Sequence, residues 1–199
     1  MNNYLHSYLS KLSRSGSGFD FASVACRYGK FTIYCIIGPE ENILQVTFAP
    51  EWHAQVQKQL KGVHPGVNVR KLAQKEFHLD TMFAAYFSGR PAGFPSAADA
   101  PLIAAGTDFQ KRVWHHMGAI PYGTTITYRE LAALAGSPKG SRAVGLACGA
   151  NPLAVIIPCH RVVAASGLGG FAGGLAIKKA LLELEHNHAL GAKGRSGKI

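Results

Sequence analysis

Hydrophobic and polar residues alternate, or form short apolar runs, through the first fifty positions of the chain, which is the spacing of β-strands. Three segments, at residues 19–26, 29–37 and 42–49, are rich in β-branched and aromatic side chains and are separated by glycine-containing turn signals. They predict a small antiparallel sheet. Two segments with helical spacing follow at residues 51–61 and 77–88, and their inward stripes are most simply core: Trp52, Val56, Leu60, Phe77, Met82, Phe83 and Phe87.

Helical periodicity dominates the second half of the chain. Residues 89–106 are rich in proline, alanine, glycine and serine and carry no sustained period. Thr107 then has the character of a helix N-cap, and apolar residues at helical spacing continue to Met117. Two further helices, at residues 127–135 and 139–149, are joined by a tight Gly-Ser-Pro turn. This predicts a helix-turn-helix, whose second helix would be offered to nucleic acid, although ordinary helical hairpins look similar.

Together these elements predict an α+β chain of two domains. The N-terminal domain, residues 1–92, contains the small antiparallel sheet with its helices, and residues 93–106 form a linker. The C-terminal domain, residues 107–190, is mostly helical, and residues 191–199 form a basic, flexible tail. A second loose, basic stretch is expected at residues 10–18.

Composition limits the classes of protein to which the chain can belong. With 199 residues, 47% of them hydrophobic, it can bury a proper core and is not disordered as a whole. Its formal net charge is +10, and residues 107–199 carry most of the excess, with 11 basic against 4 acidic side chains. A basic balance of this kind favours polyanions such as nucleic acid, although many soluble proteins are basic without binding them.

Cysteine usage and the lengths of the apolar runs indicate a compartment. The four cysteines, Cys26, Cys35, Cys148 and Cys159, are too sparse for a disulfide scaffold and lack the paired spacing of a structural zinc site. We therefore expect reduced thiols and an intracellular protein. No segment reaches the apolar length of a membrane span, and the first ten residues lack a signal-peptide core, so a soluble protein is expected.

One of these cysteines stands between a proline and a histidine. Residues 155–157 are apolar and β-branched and predict a buried strand, which Pro158 ends, so that Cys159 emerges at the strand's end. His160 could hold or remove a proton, and Arg161 would raise the local positive potential that lowers the pKa of a thiol. The pattern indicates a reactive nucleophile. The alternative is that Cys159 is a small buried hydrophobe.

The second helix of the helix-turn-helix has an outer face that is nearly bare backbone. Arg142, Gly145 and Gly149 share this face. The opposite face is apolar: Val144, Ala147 and Cys148. Glycine costs a helix interior up to about 1 kcal/mol relative to alanine, so two glycines on one face suggest that something approaches closely. DNA in a narrow groove would qualify, and tight helix packing is the alternative.

Seven segments carry a resemblance to a known family: Gly106-Thr107-Asp108-Phe109-Gln110, Ile120-Pro121-Tyr122-Gly123, Thr127-Tyr128, Ser141-Arg142-Ala143-Val144-Gly145, Asn151-Pro152, Ile157-Pro158-Cys159-His160-Arg161-Val162, and Gly173-Gly174-Leu175 through Leu182 to Glu185. In them the chain resembles the O6-alkylguanine-DNA alkyltransferases, also called methylated-DNA–protein-cysteine methyltransferases. The likeness is strong over residues 77–188 and only general before them. It implies a ribonuclease H-like N-terminal domain and a winged-helix-like C-terminal domain that contains the helix-turn-helix.

The activity implied by the resemblance is DNA repair by direct reversal of damage. Cys159 would remove the alkyl group from O6-alkylguanine in double-stranded DNA, and from O4-alkylthymine, and keep it irreversibly, so that each molecule acts once. A water between His160 and Cys159 would carry the thiol proton to the imidazole, while Glu185 orients His160 and stabilises its cationic form. Helical phase agrees with an inward Glu185, which lies at the edge of an apolar stripe. The resemblance implies no cofactor.

The resemblance also assigns residues that contact DNA. The damaged nucleotide must leave the base stack to reach a thiol, and Arg142 corresponds to the arginine that fills the vacated space from the minor groove. The rest of this surface comprises Ser141, Gly145, Gly149 and Tyr128. Of these, Tyr128 would donate a proton to the leaving guanine, in addition to any packing role.

The surroundings of the thiol follow from the same resemblance. Asn151 would organise the turn ahead of Cys159 without acting as an acid or base. Phe171 occupies a position that is often tyrosine, and Ala172 stands where some members have serine, so a hydroxyl contact to the guanine would be lost. Some members hold zinc in the first domain, but with only two cysteines there no metal is expected. The residues expected to line the base pocket are Val155, Val162, Gly170, Phe171 and Ala172.

Two other classes of function are compatible with the residue types. Alkyltransferase-like lesion sensors bind the same damage without the nucleophilic cysteine, and Cys159 argues against that class. A cysteine hydrolase could use Cys159, His160 and Glu185, but adjacent cysteine and histidine are unusual there and the DNA-binding helix would be unexplained. We expect a monomer in solution, cytoplasmic in a bacterium and nuclear in a eukaryote.

Overall fold

The computed structural model describes residues 20–63, 67–90, 92–94 and 100–195. The loose stretch expected at residues 10–18 lies outside these ranges, as do positions 196–199 of the expected tail. None of the helices in the described part of the chain combines the length and the apolar character needed to cross a membrane.

Four strands form the main sheet of the N-terminal half, in the order β3-β2-β1-β4. Their bounds are Asp20–Tyr28 for β1, Phe31–Ile37 for β2, Ile43–Thr47 for β3 and Asn68–Lys71 for β4. The pairs β1–β2 and β2–β3 are antiparallel, as predicted. The predicted antiparallel sheet is correct for these three strands but incomplete, because an unpredicted fourth strand, β4, lies parallel to β1 at the edge and makes the sheet mixed. This strand gave no signal in the sequence, since its four residues are largely exposed and do not alternate.

The described residues contain seven α-helices: α1 Pro50–Val63, α2 Asp80–Phe87, α3 Pro101–Ala104, α4 Asp108–Gly118, α5 Tyr128–Leu134, α6 Ser141–Gly149 and α7 Leu175–Arg195. The helices α4, α5 and α6 pack against one another, and α5 and α6 are the two helices predicted as a helix-turn-helix. Two short parallel strands, β5 (Ile126–Thr127) and β6 (Val162–Val163), join the start of α5 to the segment after Cys159. The chain is therefore a mixed α+β protein, as predicted.

The starts of two helices follow the capping signals in the sequence. Thr107 Oγ1 accepts a hydrogen bond from the amide of Gln110 at 3.3 Å, and Gln110 Oε1 accepts one from the amide of Thr107 at 3.0 Å. This reciprocal capping box confirms Thr107 as the N-cap of α4. Thr127 and Glu130 repeat the arrangement at α5, which places Tyr128 at the first position of that helix.

Two boundaries differ from the prediction. The helix α3 lies inside the predicted linker, residues 93–106, and its Leu102 and Ile103 are buried, so this end of the linker belongs to the packed structure. The helix α7 continues to Arg195, so residues 191–195 are helical where a flexible tail was predicted. Both differences concern weak signals, because α3 is one turn long and the glycines near the end of α7 resemble a helix stop.

The apolar core draws on both halves of the chain. Its largest cluster includes the buried side chains of Val24, Phe83, Trp114, Leu131 and Leu153. Backbone bonds reinforce the connection: the amide of Val46 in β3 donates to the carbonyl of Pro152 at 2.8 Å, and its carbonyl accepts from the amide of Ala154 at 2.9 Å. The sheet thereby supports the loop that leads to Cys159. The division into two domains stays a prediction.

Candidate active site

A turn, and not a strand, precedes the candidate nucleophile. Asn151 closes this turn: its Nδ2 donates to the carbonyl of Ile157 at 2.8 Å, and its Oδ1 accepts from the amide of Leu153 at 3.0 Å. Val155 has a positive φ of 73°, which is rare for a β-branched residue. The strand predicted at residues 155–157 is therefore wrong. The side-chain bonds of Asn151 hold the backbone in a turn in spite of the local β propensity.

Cys159 begins a short 3-10 turn and lines a cavity, yet only 9% of the residue is exposed. Burial raises the pKa of its thiol, against the opposing effects of the Asn151 side chain and the charge of Lys178. The prediction that Arg161 lowers the pKa of the thiol is wrong, because the guanidinium of Arg161 pairs with Glu185. A thiol of this kind needs a base before it becomes a nucleophile at neutral pH.

A buried ion-paired network lies beside the thiol. His160 Nε2 is 2.8 Å from Glu185 Oε1, the contact expected between these two residues. Glu185 also accepts from Arg161, from Nε and from Nη2 at 2.9 Å each, and from the amide of Gly123 at 2.9 Å. Burial alone would raise the pKa of Glu185, but the bonds from His160 and Arg161 outweigh it and lower that pKa to about 2. Glu185 is therefore ionised at neutral pH.

The ionised carboxylate determines where His160 carries its proton. Because Glu185 Oε1 accepts, the proton is assigned to His160 Nε2, which leaves a lone pair on Nδ1. Nδ1 is buried and has no hydrogen-bond partner among the described residues. Burial lowers the pKa of His160, with Glu185 opposing that shift, so the imidazole is neutral at pH 7. The network thus supplies a buried base whose free nitrogen is Nδ1.

Two buried polar side chains were not foreseen from the sequence. Lys178 on α7 is fully buried, and its Nζ donates to the carbonyls of Val162 at 2.6 Å and Gly170 at 3.1 Å. Tyr86 on α2 is also buried, and its hydroxyl donates to Glu185 Oε1 at 2.6 Å. Lys178 lies two helical turns before Glu185 on the same face, a spacing that could have revealed it. Tyr86 lies in an aromatic-rich helix that is typical of core, so no signal pointed to it.

A cavity of about 540 Å³ opens beside Cys159, a volume that suits a small organic group. Trp52 and Cys148 line it, although Trp52 had been expected in the core and Cys148 only on the inner face of its helix. Val155 and Val162 do not line it, because their side chains are buried in the core, so this part of the pocket prediction is wrong. Three of the other lining residues were predicted to line the base pocket: Gly170, Phe171 and Ala172. Five more were predicted to contact DNA: Tyr128, Ser141, Arg142, Gly145 and Gly149.

The outer face of α6 is open. Among the residues that the structure describes, a Cβ atom added at Gly149 would meet nothing within 4 Å, and one added at Gly145 would meet only the ring of Tyr128 at 4.0 Å. Tight helix packing, the alternative explanation of the two glycines, is therefore wrong. Leu146 lies on the same face and is 77% exposed. The inner face of the helix is buried, as predicted: Val144, Ala147 and Cys148.

Tyr128 lines the cavity and contacts the glycine-rich loop that follows β6. Its hydroxyl donates to the carbonyl of Gly170 at 3.3 Å. At Gly169, where φ is +69°, a Cβ atom would lie 2.6 Å from the Tyr128 ring, so the close approach of loop and ring requires glycine. Burial raises the pKa of Tyr128, which keeps the phenol protonated at neutral pH.

The described residues offer few candidate metal ligands. Within the described ranges, no group of three or more His, Cys, Asp or Glu side chains could hold a metal ion. Cys26 and Cys35 are buried in the apolar core of the sheet. That the protein uses no metal and no cofactor stays a prediction.

Comparison with known proteins relates this site to a family. Residues 108–187 match the family model described as 6-O-methylguanine DNA methyltransferase, DNA binding domain. A methylated-DNA–protein-cysteine methyltransferase of Methanosarcina barkeri is 53% identical over 105 residues, which are 52% of this chain and 64% of the relative. The chain thus matches somewhat less than two thirds of the length of that curated relative.

Two solved structures share the fold over nearly their whole length. The crystal structure of Mycobacterium tuberculosis O6-methylguanine methyltransferase has 31% sequence identity and a TM-score of 0.64, covering 84% of this chain and 94% of that one. The structure of Mycobacterium tuberculosis OGT in complex with DNA has 32% identity and a TM-score of 0.61, covering 85% and 94%. The family-model match contains Tyr128, Cys159 and Glu185. The chain belongs to the methylated-DNA–protein-cysteine methyltransferase family.

Proposed function

We propose that this protein repairs alkylated DNA by transferring the alkyl group from O6 of guanine to Cys159. The observation that carries this proposal is the position of Cys159 in a cavity that also reaches the open, glycine-containing face of α6. The name of the Methanosarcina barkeri relative supports the same reaction. O4-alkylthymine, which also presents an alkylated oxygen, is a second proposed substrate.

Double-stranded DNA is the proposed partner, and the structure of a relative in complex with DNA supports it. Arg142 is exposed and lines the cavity, and Leu146 leaves an apolar side chain uncovered one turn further along the same face. Small residues beside an arginine and an apolar side chain suit a narrow minor groove, where such side chains enter between bases. Arg142 fills the stack after the damaged nucleotide has rotated into the cavity.

The proposed chemistry is a single displacement. Cys159 Sγ forms a bond to the alkyl carbon while the bond from that carbon to O6 breaks. The thiol proton passes through a water to His160 Nδ1, and Glu185 stabilises the resulting imidazolium. The hydroxyl of Tyr128 gives a proton to the guanine, and the proton on His160 restores the phenol by exchange. The net products are a thioether and unmodified guanine, so neither an oxidant nor a cofactor is required.

The raised pKa of the Cys159 thiol explains why the reaction requires His160 as a base. Cys159 is protonated at neutral pH, because burial disfavours the thiolate. Proton removal therefore has to accompany attack, and the buried, neutral His160 supplies an acceptor for it. A cysteine hydrolase would share these groups, but it would not need the open face of α6. A lesion sensor would need the open face of α6 to bind DNA, but it would not need the thiol of Cys159.

Finer features of the fold and setting are also proposed. The strand order β3-β2-β1-β4, with β4 parallel to β1, supports a ribonuclease H-like N-terminal domain. The packed helices α4 to α6 with the β5–β6 pair support a winged-helix-like C-terminal domain. We also propose a monomer that works in the compartment that holds the DNA.

The test of the function is a stoichiometric reaction with duplex DNA that contains one O6-methylguanine. We expect restored guanine and a mass increase of one methylene group on Cys159, with at most one transfer per molecule. Trypsin leaves Cys148 and Cys159 in the same peptide, residues 143–161, so fragment ions must assign the methyl group. Repeated turnover with unmodified Cys159 would support a hydrolase instead, and binding without transfer would support a sensor.

Replacement of Arg142 separates nucleotide flipping from chemistry. Arg142→Ala should slow reaction with the duplex by about 10- to 100-fold and reaction with free O6-benzylguanine by less than about 3-fold, because only the duplex requires flipping. Single-turnover rate constants for the two substrates provide the measurement. Arg70→Ala, which removes an exposed arginine from β4, controls for the loss of charge. Equal losses on both substrates would remove Arg142 from the flipping role.

A further inference from the structure

The hydroxyl of Tyr86 lies at the contact between His160 and Glu185. It is 2.6 Å from Glu185 Oε1 and 3.1 Å from His160 Nε2, and only 1% of Tyr86 is exposed. Because Glu185 is ionised, the hydroxyl donates to the carboxylate, and its oxygen lone pairs remain available to the Nε2 proton of His160. Tyr86 therefore touches both members of the pair that is proposed to activate Cys159.

The ring of Tyr86 is held in place by other rings. Its centroid is 5.1 Å from that of Phe87, 5.9 Å from that of Tyr122 and 6.2 Å from that of Phe94. Such packing leaves a buried phenol few orientations, so its hydroxyl is presented to Glu185 with little further loss of entropy. Burial, and then the charge of Glu185, raise the pKa of Tyr86 well above its ordinary value, so the hydroxyl keeps its proton.

The three groups come from distant parts of the chain. Tyr86 belongs to α2 in the N-terminal half, His160 follows the turn closed by Asn151, and Glu185 lies on α7. We propose that Tyr86 is a positioning residue, which sets the carboxylate of Glu185 and the imidazole of His160 relative to each other and makes alkyl transfer depend on the N-terminal half. This inference rests on the proposed function.

The carboxylate of Glu185 shares its charge among several donors. Oε1 accepts from His160 Nε2, from the hydroxyl of Tyr86 and from Arg161 Nη2. Without the hydroxyl of Tyr86, more of the negative charge of Glu185 would act on the imidazolium of His160, so the pKa of His160 would rise. The carboxylate of Glu185 would also be held less firmly in its orientation. The other charged or titratable groups around the pair would be unchanged: Arg161, Lys178, Tyr122 and Cys159.

Tyr86→Phe tests this role, because it keeps the ring and removes only the hydroxyl. The second-order rate constant for alkyl transfer from free O6-benzylguanine should fall by about 5- to 20-fold. The acidic limb of its pH profile should move to higher pH by about 0.5 unit, following the raised pKa of His160. Because O6-benzylguanine is a free nucleobase, its reaction does not depend on DNA binding. A purely structural role would lower thermal stability without moving the limb.

Tyr122→Phe is the matched control. The hydroxyl of Tyr122 is buried without a hydrogen-bond partner in the described part of the chain, and its ring packs against Tyr86. We expect this variant to keep the rate and pH profile of the wild type. The proposal is overturned if the Tyr86→Phe profile superimposes on that of the wild type, or if Tyr122→Phe shifts it equally.

A second measurement needs no variant. Nitrogen-15 NMR of the wild-type protein should show His160 protonated at Nε2 at neutral pH, and a proton on Nδ1 would contradict the arrangement of Tyr86, His160 and Glu185. Failure of the proposed function has a different signature, since the wild-type protein would then transfer no alkyl group at all.

Discussion

Replacement of Cys159 by alanine is expected to abolish alkyl transfer while leaving binding to duplex DNA in place. The single-turnover rate constant should fall by at least about 10⁴-fold, because Cys159 is both the nucleophile and the final acceptor. The proposed DNA-binding residues of α6 are untouched by the change. Transfer of a labelled methyl group and fluorescence anisotropy with duplex DNA at fixed salt measure the two properties separately.

Two other cysteines provide controls for this variant. Cys35→Ala removes a buried sulfur from β2, away from the cavity, and should keep transfer. Cys148 is the second thiol that lines the cavity, but burial, with the nearby Cys159, raises its pKa to about 12, and its Sγ contacts Met117 Sδ at 3.5 Å. It is therefore not expected to accept the alkyl group. Transfer that survives in Cys159→Ala and disappears in Cys148→Ala would reassign the nucleophile.

Glu185→Gln is expected to reduce both stability and transfer. Glutamine keeps the shape of the side chain but leaves the buried guanidinium of Arg161 without its anion, and breaking a buried pair in this way costs about 3–5 kcal/mol of unfolding free energy. The imidazolium of His160 also loses the carboxylate that stabilises it, so transfer should fall by about 10²- to 10⁴-fold. Urea denaturation at pH 7 and single-turnover kinetics measure the two losses.

The stability difference between wild type and Glu185→Gln should depend on pH. The pKa of Glu185 is lowered in the folded protein to about 2, so the ionised carboxylate contributes stability that is fully present above the pKa of an unfolded glutamate, about 4.3. That contribution is lost as pH falls from there toward 2. The unfolding free energies of wild type and variant should therefore converge in acid, and a difference that stays constant down to pH 3 would contradict the ionised pair.

Glu183→Gln is the matched control on the same helix. Glu183 is exposed and its carboxylate lies 3.8 Å from Lys179, a surface pair worth at most about 1 kcal/mol. This variant should therefore unfold close to the wild type at every pH. A loss comparable to that of Glu185→Gln would show that removal of any carboxylate from α7 is harmful.

The elements that could be predicted from the sequence are those that depend on near neighbours. The N-cap at Thr107 and the two faces of α6 depend on residues at most a few positions apart, and both predictions were correct. The edge strand β4 and the turn at Val155 were missed. The first depends on pairing with β1, and the second on side-chain bonds of Asn151 that override the β propensity of the residues within the turn.

For the site, the residue pattern indicated Cys159 and His160, and the glycines of α6 indicated a surface that something approaches closely. Glu185 was indicated by the resemblance to the family, with which the phase of its helix agrees. These follow from sequence because the chemistry of a side chain and the phase of a helix are local properties. Only the tertiary structure showed that the pKa of the Cys159 thiol is raised and that Arg161 forms an ion pair with Glu185. It also showed that the hydroxyl of Tyr86 contacts both His160 and Glu185. Burial and ion pairing depend on groups that are far apart in the sequence. Here they arise because residues from both halves of the chain surround the carboxylate of Glu185.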